Sequence, residues 1–252
     1  MDTITVITTD TAITASLIVS AGCPATRTTD TTMPEAPALL RLLAWLSPAF
    51  PVGSFSYSHG LESAVHDGLL GNRDELEDWL FGLLTAGSLW NDAVLSAHAL
   101  RAADEPGELA RLAELSEALA GSAERHLETT SQGRAFLEAA HTWNGAGIDG
   151  LPDDCAYAVA FGAAAGSAGI QAHEAIAGLL QAAISNLVQA AIRLSVIGQS
   201  DAIRVAAKLE NEIAATAHRA VQASLDDLGS ATLLSEIAAM RHETIHTRLF
   251  RS

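Results

Sequence analysis

The 252-residue chain carries 14 Lys plus Arg against 30 Asp plus Glu, a formal charge of −16. Lys208 is its one lysine and the arginines are scattered, so no basic stripe exists to displace counterions from phosphates, and nucleic-acid binding is not expected. Hydrophobic residues make up 49% against 17% charged, which rules out disorder of the whole chain, and the 5% aromatic content leaves a core to be filled by aliphatics at close helix contacts. The expectation is an all-α protein built as a single helical-bundle domain of about nine to ten helices.

Residues 1–33 differ from the rest. They are threonine-rich and β-branched without helical spacing, and are expected to be a disordered leader ahead of a helical domain at 34–252, with Met33 a candidate initiator. The apolar stretch 13–23 resembles a lipoprotein signal, but Asp2 and Asp10 precede it and no Lys or Arg does, so export is not expected. Cys23 and Cys155 are too few for a disulfide framework or a thiolate zinc site, which suits a reducing, cytoplasmic compartment.

Leu39, Leu40, Leu42, Leu43 and Leu46 begin the first helix, and Ser47-Pro48 stops it, because proline disfavours helix at the residue before it. A loop rich in Pro, Gly, Ser and aromatics follows at 47–60, then a short helix at 61–67. Asn72 with Glu75 gives a capping-box-like start to the next helix, whose Leu76, Trp79, Leu80, Leu83 and Leu84 fall on one face. Further helices are predicted over 92–103, in two stretches between 106 and 143, and over 153–168, 173–196, 200–225 with Ser200 as N-cap, and 232–250. The Gly-rich run 144–152 is the clearest internal break and a candidate domain boundary. Two uncharged runs, 155–172 and 175–192, reach the lower length limit of a bilayer span, but their Ala, Gly, Gln and Asn content favours buried helices over a membrane. Gly162 and Gly166 form a small-xxx-small face suited to core packing or to a dimer seam.

Few residue patterns suggest chemistry. His242-Glu243-Thr244-Ile245-His246 spells H-E-x-x-H, which on a helix would set two imidazoles on one face for zinc, with Glu243 as general base. A zinc-dependent hydrolase is therefore the alternative reading, though a third ligand would have to come from upstream, for example His218 or Glu236. There is no P-loop and no G-x-S-x-G, and the other histidines are dispersed. The remaining features suit recognition: Phe50, Phe55 and Tyr57 on a loop punctuated by Pro48, Pro51 and Gly53, which either presents its aromatics or plugs the bundle, and an apolar Leu249-Phe250 pair flanked by Arg248 and Arg251.

Residues 42–61 (LLAWLSPAFPVGSFSYSHGL) with Glu62, then Glu124-Arg125 through Glu128, Gln132-Gly133, 186–199 (NLVQAAIRLSVIGQ) and 240–252 (MRHETIHTRLFRS) resemble the UreF family of urease accessory proteins. The resemblance runs from about Ala36 to Ser252. It implies an all-α, dimer-forming, non-enzymatic adaptor that binds UreD (also called UreH) and the GTPase UreG, and supports GTP-dependent loading of nickel into apo-urease. Because the chain has no cysteine-rich or histidine-clustered site, no stably bound cofactor is expected, with nickel handled transiently by the complex.

By the same resemblance, Arg248, Leu249, Phe250, Arg251 and Ser252, with His242 and Glu243, belong to the segment that orders against UreD. Ser47, Pro48, Phe50, Pro51, Gly53, Phe55, Tyr57, Gly60 and Glu62 form the signature loop. Arg125, Gln132, Gly133, Gly198 and Gln199 belong to a surface for UreG or for a second copy. On this reading H-E-x-x-H is accidental, with His246 standing where the family commonly has an aromatic. Residues 1–32 have no family counterpart, and Val196-Ile197 replaces a Pro-containing step. Removing 241–252 is expected to abolish UreD binding and leave the helical fold.

Overall fold

The computed structural model describes residues 36–143, 148 and 150–252, and the leader expected at 1–33 lies outside them. Among the described residues there are ten α-helices and no strand. They are α1 (Ala36–Trp45), α2 (Leu61–His66), α3 (Arg73–Ala86), α4 (Ser88–Arg101), α5 (Pro106–Ala118), α6 (Ala123–Ala140), α7 (Tyr157–Ser167), α8 (Ala172–Arg193), α9 (Gln199–Gln222) and α10 (Leu233–His242). Single 3₁₀ turns stand at Ser54–Ser56 and Leu225–Asp227.

Local chemistry accounts for the helix starts. Asn72 Oδ1 accepts the Glu75 amide at 3.0 Å, and Glu75 reaches back to the Gly71 amide at 2.7 Å, a capping box displaced by one residue. Ser122 Oγ caps α6 through the Arg125 amide. Three boundaries depart from the sequence reading. α4 starts four residues before Asp92, because Gly87 holds an extended backbone that lets a new helix begin at once. Gly198, not Ser200, is the N-cap of α9, since the left-handed Ser195 turns the chain and buried Ile197 anchors it before the helix starts. α10 ends at His242 and does not continue to Phe250, because side chains of the body take over the amides and rings beyond it.

The core forms two clusters. α2, α3, α9 and α10 contribute to one, and α1, α5, α6 and α7 to the other. α4 and α8 contribute to both and act as the axis of the bundle. α7 lies against α4 at backbone contact: a Cβ on Gly162 would stand 2.3 Å from the Ser96 carbonyl oxygen, and one on Gly166 2.2 Å from that of Leu100. The glycine face is therefore internal packing. Helices on either side of the 144–152 run also pack together, with Phe136 on α6 and Tyr157 on α7 edge to face at 5.6 Å, so no boundary falls there. α8 is the one helix among the described residues long and apolar enough to cross a membrane, and half of its most apolar window is buried inside the fold.

Candidate functional site

Gly60 creates the site. Its positive φ of 77° ends the 47–60 loop and starts α2, and any Cβ there would lie 2.6 Å from the Ala239 amide nitrogen. α2 therefore sits directly on α10, with Glu62 facing His242. The histidine has no exposed side-chain surface, and both ring nitrogens meet carboxylates: Nε2 lies 3.0 Å from Glu62 and Nδ1 2.6 Å from Glu124 of α6. One helical turn on, Glu128 gathers His59 Nε2 at 2.6 Å, Arg125 at 2.7 Å and Gln132 Nε2 at 3.0 Å.

These three glutamates hold the segment that follows α10. Glu62 accepts the backbone amides of Leu249 at 2.7 Å and Phe250 at 2.9 Å; Glu124 pairs with Arg248; Glu128 accepts the Ser252 hydroxyl at 2.8 Å. The segment also lies along the signature loop. The Arg251 amide donates to the Ser56 carbonyl at 2.8 Å, and both the amide and the hydroxyl of Ser58 donate to the Ser252 backbone oxygen. Phe250 is buried under the Arg193 guanidinium, 4.1 Å from its ring centre, and Arg193 donates in turn to the Phe55 carbonyl. Asn186 fixes the same turn by donating to the carbonyls of Ser54 and Tyr57.

Burial alone would raise the Glu62 carboxyl, yet the Leu249 amide, His242 and the Phe250 amide hold it below the ordinary value of 4.5. Glu128 is opposed by burial more strongly, and the charges of Arg125 and His59 outweigh it, holding the carboxyl at about 2. Both are ionised acceptors. The Cys155 thiol, pushed by burial to about 12, is unreactive.

The recognition residues divide. Phe250, Ser252 and His242 are buried, while Arg248, Leu249 and Arg251 are exposed. Glu243 accepts the Ala123 amide at 2.9 Å, at the start of α6. In the loop, Ser47 closes the turn onto the Ala49 amide, Pro48 and Pro51 are exposed, and Gly53 takes φ 74°. Its aromatics do both things foreseen: Tyr57 is buried, Phe50 packs on Phe136 and Trp143, and Phe55 stands 67% exposed.

Gly198 and Gln199 are exposed, but Arg125, Gln132 and Gly133, expected on the same partner surface, face inward. Arg125 and Gln132 bind Glu128, and a Cβ on Gly133 would fall 1.8 Å from the Cys155 carbonyl oxygen. The zinc alternative fails on geometry. The helix stops at His242, His246 lies beyond it and exposed, both nitrogens of His242 are committed to glutamates, and no metal-holding group of three ligands exists among the described residues. Removal of 241–252 would take out buried His242 and Phe250, strip Glu62 and Glu124 of their partners and cost Glu128 its Ser252 contact, so it is not neutral to the fold.

Sequence reading alone gave Glu124 and Glu128 no structural role and passed over Asp92 and Arg193. The available signal was the polar row Glu124, Arg125, Glu128 and Gln132 at helical spacing, with Glu62 and Asp92 standing among apolar neighbours.

Comparison with known proteins agrees with this architecture. The UreF family model matches residues 70–210. "Urease accessory protein UreF 1" of Brucella canis is 58% identical over 215 residues, covering 85% of this chain and 94% of the relative. The protein of the same name in Brucella anthropi is 56% identical over 227 residues, covering 90% and 98%, and "Urease accessory protein UreF" of Mesorhizobium japonicum is 54% identical over 222 residues, covering 88% and 100%. An all-helical body with a docked terminal segment and such relatives is an accessory protein of urease, serving the enzyme's maturation and not itself an enzyme. The chain belongs to the UreF family.

Proposed function

We propose that the chain is a cytoplasmic adaptor which, with UreD (UreH) and the GTPase UreG, supports GTP-dependent insertion of nickel into apo-urease. The supporting observation is the posture of the terminal segment. Its Leu249 and Phe250 amides are held by Glu62, Ser252 by Glu128 and Arg248 by Glu124, and the Leu249 and Arg251 side chains are left exposed. A side-chain epitope presented on a fixed backbone gives up little conformational entropy on binding. UreD takes this face, and the two chains associate through it. A dimer of the chain offers UreG a surface that includes Gly198 and Gln199. Nickel is cargo, passed on without a resident site.

The test separates docking from folding. Leu249→Asp with Arg251→Glu alters only exposed side chains, so the melting temperature should stay within about 2 °C while co-purification with UreD falls about tenfold or more. Undiminished co-purification would contradict this role for the segment.

A further inference from the structure

A cleft of about 580 Å³ opens between α1, the 47–60 loop and α8 and runs inward to α6 and α7. Its walls are mainly apolar, with Leu43, Leu46, Val52, Leu89, Leu179 and Leu180 among them. At the inner end stand His59, Asp92 and Arg125, which also wall a second, smaller cavity of about 340 Å³ on the far side. The ion pairing at this end is unequal. Arg125 is committed to Glu128 at 2.7 Å, leaving Asp92 only a 3.6 Å approach to the guanidinium. Asp92 accepts no hydrogen bond from the described residues, and 28% of its side-chain surface is accessible where it lines the two cavities. Burial accordingly raises its carboxyl above the ordinary carboxylate value. His59 spends Nε2 on Glu128, and its Nδ1 is buried without a partner.

We infer that this cleft is a binding site for a small organic ammonium ion, its apolar body against α1 and α8 and its cationic head on Asp92. The volume lies within the roughly 300–1,000 Å³ typical of small-molecule sites, and a mostly apolar wall with a few convergent polar groups is their usual chemistry. A head with positive charge and N–H donors supplies the hydrogen bonds Asp92 lacks; Arg125, which also faces Asp92 at 3.6 Å, and His59 are both held by Glu128. A bare metal ion would find too few ligands, since no group of three His, Cys, Asp or Glu among the described residues could hold one.

Titration calorimetry of the full chain with 2-phenylethylammonium, and with neutral 2-phenylethanol as its isostere, tests the assignment. The ammonium should bind saturably and about tenfold tighter than the alcohol, the equivalent of about 1.4 kcal/mol. Asp92→Asn should bring the two within about twofold and leave alcohol binding unchanged, and Ala182→Trp, which fills the cleft wall, should weaken both. Absence of saturable ammonium binding, equal affinity for the two probes, a preference that survives Asp92→Asn, or indifference to Ala182→Trp would each overturn it. The two-probe comparison on the native chain and the Ala182→Trp result stand even where Asp92→Asn does not fold.

Discussion

Glu128 joins two parts of the molecule: through Arg125 and His59 it closes the inner end of the cleft, and through Ser252 it holds the terminal segment. Its carboxyl lies at about 2 in the fold against an ordinary 4.5. Because the folded value is the lower one, the stability it contributes is complete above about pH 4.5 and is lost as pH falls toward 2, an amount of about 3 kcal/mol. Glu62 is shifted in the same direction and adds to the loss, while Asp92, shifted upward, opposes it. Urea unfolding of Glu128→Gln should therefore show lower stability at pH 7 and a shallower decline between pH 4.5 and 2 than the parent chain. Parallel declines would contradict the assigned coupling. His242 illustrates why such a cluster is hard to read in sequence. It is separated by 180 positions from Glu62 and by 118 from Glu124, and the close approach at Gly60, which seats α2 on α10, brings Glu62 to it.

At the scale of elements, whatever depends on local spacing could be read in advance. The leucine face and Asn72 cap of α3, the Pro48 stop of α1 and the long apolar α8 are all set by near neighbours in sequence. The end of α10 could not be read this way. Residues 243–250 have no helix breaker, and the chain leaves the helix because Glu62 accepts the amides of Leu249 and Phe250 and α10 is pinned at His242. The small-residue face of α7 was legible as a close contact but not as to its partner, which is α4 of the same chain. That assignment has a direct consequence: Gly162→Ala would press a methyl against the Ser96 carbonyl and should cost about 1–3 kcal/mol in chemical denaturation. A cost below about 0.5 kcal/mol would mean that the α4–α7 contact is looser than described.

For the whole molecule, the −16 charge gave no reason to expect nucleic acid and no indication of where a partner would bind. The fold distributes that charge unevenly. Glu62, Glu124 and Glu128 turn inward, Glu62 and Glu124 onto groups of the terminal segment and Glu128 onto Arg125 and His59, while Arg251 projects outward from an acidic body. Composition could not show this, because it depends on which acids face the core. The candidate site was legible as a set of sequence blocks from the family resemblance, and illegible as a mechanism, since the resemblance placed Arg125, Gln132 and Gly133 on a surface when their side chains or backbone pack inside.

The adaptor role is tested by urease activity and nickel content after co-expression of apo-urease, UreD and UreG with the full chain, without it, and with the Leu249→Asp, Arg251→Glu variant. Activation should require the chain and fall about tenfold or more with the variant, in step with its loss of UreD binding. Full nickel loading without the chain, or with a variant that no longer binds UreD, would contradict it.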